Sequence, residues 1–366
     1  IMDTSFDGRG LRSYIAPGAP ATRTPCDGSE APLRIEFGFT PRWYRDRLGV
    51  DFSERWHTDP LHRAATVEKM RVLLRKTFPG VPIGGDFNRL PPGNLDGAHG
   101  ALLVARMFGI GAVYFPDNWP AAEHNHLSEA EIAALSPVVP ENNPFFQTVL
   151  GQMETIAREF GQIGGYLNWQ GALNNAERIR GPELFMDFMM NPGLARRLLD
   201  VVTETMIAGM RAVYARQAAS GVTVRHATVS NCLVNMVSPD IYREFLLPCD
   251  QRIAEAFDLF GVHNCAWCVD PYIADYARLH PLDYVDMGLD SDLKRARCFC
   301  PGARRALMYT PMDLANKPLP EIEADLRRIH RELGPCDVVM ADIETDTPDE
   351  RVAAVARLAA EIAEGG

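Results

Sequence analysis

The chain has 366 residues and a formal net charge of −11, with 46% hydrophobic and 23% charged residues. The acidic balance disfavours a nucleic-acid partner, because phosphate binding needs a basic face, and it also disfavours binding to an anionic membrane surface. No run approaches the roughly 20 apolar residues of a membrane span, and the chain start, "IMDTSFDGRGLRSY", has no apolar signal-peptide core. We therefore expect a cytoplasmic protein without nucleic-acid or membrane partners.

The first 32 residues are rich in Pro, Gly, Asp, Arg and Thr and show no hydrophobic periodicity. They predict an irregular N-terminal arm, and residues 33–366 predict one domain. An arm of this length is typical of subunit contacts, so we also expect a homodimer. That expectation is testable by light scattering.

Short apolar strands alternate with amphipathic helices along the rest of the chain. "PLRIEFGF" and "VPIGGDF" supply two upstream strands. Six further strands are predicted after Gly161, Gly221, Phe260, Pro281, Arg304 and Pro335. This alternation favours parallel βαβ units, and eight units favour a (β/α)₈ TIM barrel with insertions around residues 86–145. The alternative is an open doubly wound sheet, which "IGGDFNRLPPGN" supports poorly because no amphipathic helix follows its glycines directly.

In a (β/α)₈ barrel the reactive residues lie at the carboxyl ends of the strands. This rule predicts three catalytic candidates, namely Asn231, Asp342 and Glu344. It also predicts six substrate-binding candidates: Asn168, Trp169, Gln170, Cys232, Met287 and Tyr309.

The same rule sorts seven of the eight cysteines, which are too few for a disulfide scaffold in a chain of this length. Four are expected away from the reactive end or in the core, and these are Cys249, Cys298, Cys300 and Cys336. Three lie near strand ends on the reactive face, and these are Cys232, Cys265 and Cys268. His124 and His126 fall in a loop before a predicted helix cap at Ser128.

The segment "HNCAWC" brings His263 together with two cysteines. His263 and Cys265 are two residues apart in an extended segment, so both side chains point the same way. Cys268 follows in C-x-x-C spacing. Imidazole and thiolate are the ligands that zinc prefers, and a catalytic zinc site keeps one position open. The alternative is a core histidine with two incidental thiols.

Four segments resemble the uroporphyrinogen decarboxylase superfamily. They are "GPELFMDFMMNPGLARRLLDVVTE", "VSPDIYREFLLPCDQRIAEAF", "HNC" and "DIETDTPDERVAAVARL". The resemblance implies a (β/α)₈ barrel. The decarboxylase branch carries an N-terminal Met-Arg-Gln-Ala-Gly-Arg segment, which this chain lacks. The zinc- and corrinoid-dependent methyltransferase branch carries His-x-Cys at the fifth strand, which His263 and Cys265 match.

That branch has a further cysteine just after its last strand, and here the pattern departs. Aligning Thr347-Pro348 puts Ala341 at the position of this cysteine. Cys336 lies five residues earlier, roughly 16 Å lower in the barrel at ~3.3 Å per residue. The third ligand is therefore expected to be Cys268, or an oxygen of Asp342 or Glu344.

The resemblance implies a zinc-dependent methyltransferase that moves a methyl group between a small methyl donor or thiol and a corrinoid protein. Cobalamin would be carried by that partner, since no Asp-x-His-x-x-Gly motif occurs in the chain. Two alternatives stay open. One is a cofactor-independent decarboxylase or lyase for a carboxylated substrate, and the other is a non-catalytic barrel that binds a small molecule.

Overall fold

The computed structural model describes residues 32–81 and 93–365. Nearly all of the predicted N-terminal arm and most of the predicted "VPIGGDF" strand lie outside these ranges.

The described strands form one parallel sheet of six strands and one short antiparallel pair. The parallel sheet contains β1 (Leu33–Phe39), β4 (His226–Ser230), β5 (Leu259–His263), β6 (Tyr284–Gly288), β7 (Arg304–Met308) and β8 (Cys336–Ile343). The antiparallel pair is β2 (Ala112–Val113) with β3 (Ala121–Ala122).

Helices cover most of the connections. The first eight are α1 (Pro41–Leu48), α2 (Glu54–Thr58), α3 (Pro60–Thr77), α4 (Leu103–Met107), α5 (Glu129–Ala134), α6 (Pro144–Phe160), α7 (Ala172–Arg180) and α8 (Glu183–Met190). The next eight are α9 (Pro192–Ala219), α10 (Pro239–Ile241), α11 (Leu247–Glu255), α12 (Ile273–Tyr276), α13 (Leu293–Phe299), α14 (Pro311–Asn316), α15 (Leu319–Leu333) and α16 (Asp349–Glu364). Short 3₁₀ turns lie at Pro140–Asn142 and Val234–Met236, and a π turn at Tyr242–Leu246 joins α10 to α11.

The strand order β1-β8-β7-β6-β5-β4 follows the chain and returns to its first strand. β8 pairs in parallel with both β1 and β7, so the last strand sits beside the first. Such a connection is typical of a (β/α)₈ barrel and not of an open doubly wound sheet. The fold predicted from the alternation is confirmed.

The strand predicted after Gly161 is not a regular strand in the structure. Asn94 and Gly164 form a single parallel bridge. Beyond it, Tyr166 N donates to the Asp96 carboxylate, and the Gln217 side chain donates to the Gly165 carbonyl. Side chains therefore take hydrogen bonds that a strand ladder would otherwise supply.

Alternate residues of the strands face opposite sides. A small buried cluster fills the inner side of the sheet and contains Tyr284, Ala306, Met308, Val339 and Ala341. The strand residues that alternate with these five point to the other side of the sheet, where they belong to the large core beneath the helices. Asp286 follows Tyr284 by two positions in β6, so it shares the inner face with that cluster.

The helix cap predicted at Ser128 is present, and a second serine cap lies at Ser238. The Ser238 side chain accepts a hydrogen bond from Ile241 N at the start of α10, and Ser128 forms a capping box with Glu131 at α5. No helix within residues 32–81 and 93–365 has both the length and the apolar character needed to cross a membrane.

Candidate metal centre

Three side chains meet at the carboxyl ends of β4 and β5. Cys232, His263 and Cys265 each offer one ligand atom, and these atoms lie within 4.8 Å of one another. The Cys265 sulfur is 3.2 Å from His263 Nε2 and 2.9 Å from the Cys232 sulfur. That sulfur separation is far longer than a disulfide of about 2.05 Å. Both cysteines are free thiols, and within the described ranges this is the one such group.

The local backbone explains why these three residues converge. β4 and β5 are neighbours, and Ser230 pairs with His263 at their carboxyl ends. Asn231 N donates to the His263 carbonyl at 2.6 Å, which fixes the position of the following Cys232. Cys265 has a φ of 59°, a left-handed conformation that is uncommon outside glycine. This turn brings its thiol back over the strand end.

Asp286 holds the imidazole of His263 from behind. Its carboxylate lies 2.6 Å from His263 Nδ1 and also accepts hydrogen bonds from Tyr284 OH at 2.8 Å and Asn264 N at 2.6 Å. All of these side chains are buried. Because Nδ1 is occupied by the carboxylate, Nε2 remains directed at the two thiols. A carboxylate behind a histidine in this way is typical of metal sites.

The electrostatics of the cluster favour ionised sulfur. Burial alone would lower the pKa of His263, but the Asp286 carboxylate and the Cys265 sulfur raise it well above its usual value. The Cys265 S–H donates to the Cys232 sulfur, and this bond together with His263 lowers the pKa of Cys232 well below its usual value. The same bond raises the pKa of Cys265. One thiolate is therefore held in place, and the thiolate is the form that binds metal.

The donor set fits zinc. Two sulfurs and one imidazole nitrogen match a Cys₂His catalytic site, in which three protein ligands leave one tetrahedral position for water or substrate. The carboxylate behind His263 completes the expected outer shell. The arrangement of these three side chains is therefore compatible with a metal centre.

Cys232 takes the place that was predicted for Cys268. The loop after Cys265 crosses the end of β6, where Gly288 N donates to the Trp267 carbonyl at 2.9 Å. A Cβ on Gly288 would overlap the Ala266 carbonyl oxygen, so the loop lies directly on the strand end. This path carries Cys268 past the cluster, and its half-buried thiol is not among the three converging groups.

Asp342 and Glu344 lie at the carboxyl end of β8 and do not belong to the three-residue cluster. Asp342 has a φ of 57°, and its residue is exposed to solvent. Surrounding protein raises its pKa, Glu344 raises it further and His263 lowers it. Thr40 Oγ1 donates to Glu344 at 3.3 Å. Asp342 is thus electrostatically coupled to the centre without being one of its close ligands.

Three predicted substrate-binding residues face the helices instead. Trp169 is buried against α9, where a Cβ on Gly209 would overlap its ring. Met287 belongs to the large core between sheet and helices. Tyr309 OH donates to Asp325 of α15 at 2.7 Å. Met287 and Tyr309 occupy outward-facing positions at the ends of β6 and β7, and Trp169 follows the irregular segment after Gly161. The structure thus packs these three side chains against helices and does not bring them into the cluster.

The predicted amides form a buried network near the centre. Asn168 Oδ1 accepts from Gln170 Nε2 at 2.8 Å, and Gln170 Oε1 accepts from Asn174 Nδ2 at 3.1 Å. Asn231 Nδ2 donates to Asp250 at 2.8 Å. Burial raises the pKa of Asp250 to about 6. We interpret Asn231 as a residue that positions Cys232, because its side chain is directed at Asp250.

The remaining cysteines follow the predicted sorting. Cys336 opens β8 opposite Leu33, at the amino end of the sheet, while His263 closes β5 at the carboxyl end. Cys298 and Cys300 lie at the end of α13, and Cys249 is buried in α11. None of these four joins the cluster.

Two residues near the centre were not predicted as site residues. The sequence shows Asp286 as a carboxylate near the end of a predicted strand. Because Asp286 lies two positions after Tyr284, both side chains point to the same face of the sheet, and this spacing could have identified Asp286 as an inward-facing residue. Arg178 lies in α7, where no strand-end rule applies. Its charge interacts with the Cys232 sulfur.

Comparison with known proteins agrees with this architecture. A search of curated proteins found no significant match. Among solved structures, the chain is similar to a methyltransferase from Methanosarcina mazei, with 16% sequence identity and a TM-score of 0.64 over 91% of this chain and 94% of that one. At this identity the likeness shows a shared fold. Residues 95–361 match the family described as uroporphyrinogen decarboxylase (URO-D). The chain therefore belongs to the uroporphyrinogen decarboxylase family.

Proposed function

We propose that this protein is a zinc-dependent methyltransferase that moves a methyl group between a small substrate and a thiol or a corrinoid protein. The observation that carries the proposal is the convergence of Cys232, His263 and Cys265, with Asp286 behind the imidazole. A zinc ion bound there would supply Lewis acidity, which lowers the pKa of a substrate thiol or polarises a methyl donor.

The residues of the chain have distinct tasks in this proposal. Asp286 keeps a proton on Nδ1 of His263, so that Nε2 presents its lone pair toward the sulfurs. The two cysteines supply negative charge, which makes the centre more electron-rich than an all-histidine site. The loop that follows Cys265 lies on Gly288 at the end of β6, and in this proposal it would limit the approach of water to the cluster from that direction.

Asp342 is the proposed proton acceptor for the substrate thiol. Its side chain is exposed to solvent at the carboxyl end of β8, and its pKa is raised by surrounding protein and by Glu344. A raised pKa makes a carboxylate a stronger base, and general bases work best when their pKa approaches the working pH. Asp342 would take the thiol proton and release it to solvent.

The corrinoid partner is a proposal of the same kind. Cobalamin would be held by a separate protein, which would bring its methyl group to the carboxyl ends of the strands. The methyl donor or acceptor thiol would occupy the open position of the centre. Free methylcobalamin can replace the partner in a first assay.

The decarboxylase alternative is less well supported by the geometry. Holding several substrate carboxylates requires several cationic groups. The carboxyl ends of β4 to β8 carry no arginine or lysine. A decarboxylase that uses no metal also has no need for two thiols beside Nε2 of His263.

The test begins with metal analysis of protein purified without chelator. We expect near-stoichiometric zinc and methyl transfer from methylcobalamin to a small thiol. Cys265→Ala should lose both, whereas Cys268→Ala, a matched thiol deletion outside the cluster, should retain both. Metal-free protein, or full activity in Cys265→Ala, would refute the proposal.

A further inference from the structure

Arg178 is a half-buried cation without an ion-pair partner among the described residues. It lies on α7, and its guanidinium makes one hydrogen bond, from Nη1 to the Asn174 carbonyl at 3.0 Å. A guanidinium has five N–H donors, so most of its capacity is unused. Arg180, two residues further, shows the contrast because it pairs with Asp187 at 2.7 Å and with Glu129 at 3.4 Å.

The position of Arg178 links it to the metal centre. Asn174, one turn earlier on the same face of α7, accepts a hydrogen bond from Leu233 N at 3.2 Å. Leu233 directly follows Cys232. The charge of Arg178 also acts on the Cys232 sulfur. Arg178 therefore lies beside the side of the cluster that Cys232 forms.

Arg178 also lines a cavity of about 550 Å³, which is large enough for a small organic molecule. The other charged or titratable side chains of its wall are Glu123, His124, His126, Glu177 and Glu183. One arginine thus faces three glutamates, and the wall is net negative when both histidines are neutral. None of the three glutamates lies within ion-pair distance of Arg178 in the described structure.

The one arginine and three glutamates of the cavity wall determine which charges a ligand must carry. The surplus carboxylates repel a purely anionic molecule, and a purely cationic molecule would leave the guanidinium unmatched. A molecule with one negative and one positive group satisfies both sides of the cavity. A planar carboxylate is the group that the guanidinium fork binds best.

We propose that the cavity binds a small zwitterion of the amino-acid type, with its carboxylate on Arg178 and its ammonium on the glutamates, chiefly Glu177. The inference rests on the proposed function and gives its substrate a class, namely a thiol or methylated compound that carries an α-amino acid group. Glu177 and Arg178 both line the cavity, so one compact zwitterion can meet a carboxylate and a guanidinium in the same space.

Three thiols of matched length test the inference by calorimetry on the zinc-loaded protein. Cysteine carries both charged groups, 3-mercaptopropanoate lacks the ammonium and 2-aminoethanethiol lacks the carboxylate. We expect cysteine to bind at least about tenfold more tightly than either analogue, as one charge-assisted hydrogen bond is worth this much. Arg178→Met should remove the advantage over 2-aminoethanethiol, and Glu177→Gln the advantage over 3-mercaptopropanoate.

Arg178→Lys and Arg211→Met provide the controls. The lysine keeps the charge but not the fork and should restore part of the preference. Arg211, an exposed arginine of α9 outside the cavity wall, should change nothing. Equal binding of the three thiols, no binding of any of them, or an unchanged preference in Arg178→Met overturns the inference. Because calorimetry requires no turnover, an intact preference without methyl transfer would refute the proposed function alone.

Discussion

Replacement of Asp286 by asparagine isolates the part that the buried carboxylate plays behind His263. One oxygen of Asp286 accepts from His263 Nδ1 and Tyr284 OH, and the other accepts from Asn264 N. All three partners are donors. An asparagine side chain has one accepting oxygen and one donating NH₂ group. At this position its NH₂ group must therefore face at least one of the three donors, and that donor loses its acceptor.

The expected magnitude follows from these contacts. Loss of an outer-shell partner of a ligating histidine lowers metal affinity about 10- to 100-fold, which is about 1.4 to 2.7 kcal/mol. The unmatched buried donor also costs about 1 to 3 kcal/mol of unfolding free energy. Asp286→Asn should therefore fold, bind zinc more weakly and lose methyl transfer in proportion to zinc occupancy.

The assay is competition for zinc between the protein and a chromophoric chelator, with urea unfolding measured in parallel on the metal-free protein. Asp275→Asn is the matched control, since Asp275 is a buried carboxylate that pairs with Arg243 at 2.9 Å outside the cluster. It should lose stability and keep zinc affinity. Equal zinc affinities of the wild type and Asp286→Asn would refute the reasoning that the carboxylate supports a metal-bound imidazole.

Further outcomes are expected from the same geometry. Cys232→Ser should weaken zinc binding by about 100-fold or more in the chelator competition, while Cys268→Ser should stay within about twofold; the reverse order would restore Cys268 as a ligand. Burial, and then the charge of Arg63, lower the pKa of His57 to about 4. The folded protein therefore keeps His57 neutral, and its free energy of unfolding is highest above the unfolded pKa of about 6.5 and decreases as the pH falls toward 4. The resulting loss is about 2 kcal/mol between pH 8 and pH 5, and urea unfolding should show a smaller loss in His57→Gln. Trp169→Ala should cost about 3 to 5 kcal/mol of unfolding free energy while leaving zinc affinity unchanged, and weakened zinc binding would return Trp169 to the site.

The fold could be predicted from the sequence because the spacing of apolar residues, and the order of strands and helices along the chain, are both read from short stretches of sequence. Apolar runs separated by amphipathic helices predict parallel βαβ units wherever they occur. Strand direction then sorts residues by the end of the barrel, and this placed Cys336 away from His263 and brought Cys265 beside it. The predicted arm and homodimer remain predictions.

The third member of the candidate metal centre and the inner face of the sheet were decided by tertiary structure alone. Cys232 joins the centre because β4 lies beside β5 in a register that aligns Ser230 with His263, and Cys268 misses it because a left-handed turn at Cys265 sends the loop across β6. Parallel strands are buried on both sides and read as continuous apolar runs, so the sequence does not reveal which alternate residues face inward. Met287 and Tyr309 were misplaced for this reason. Arg178 was not predicted for a different reason. That it has no ion-pair partner among the described residues depends on its surroundings in the folded chain.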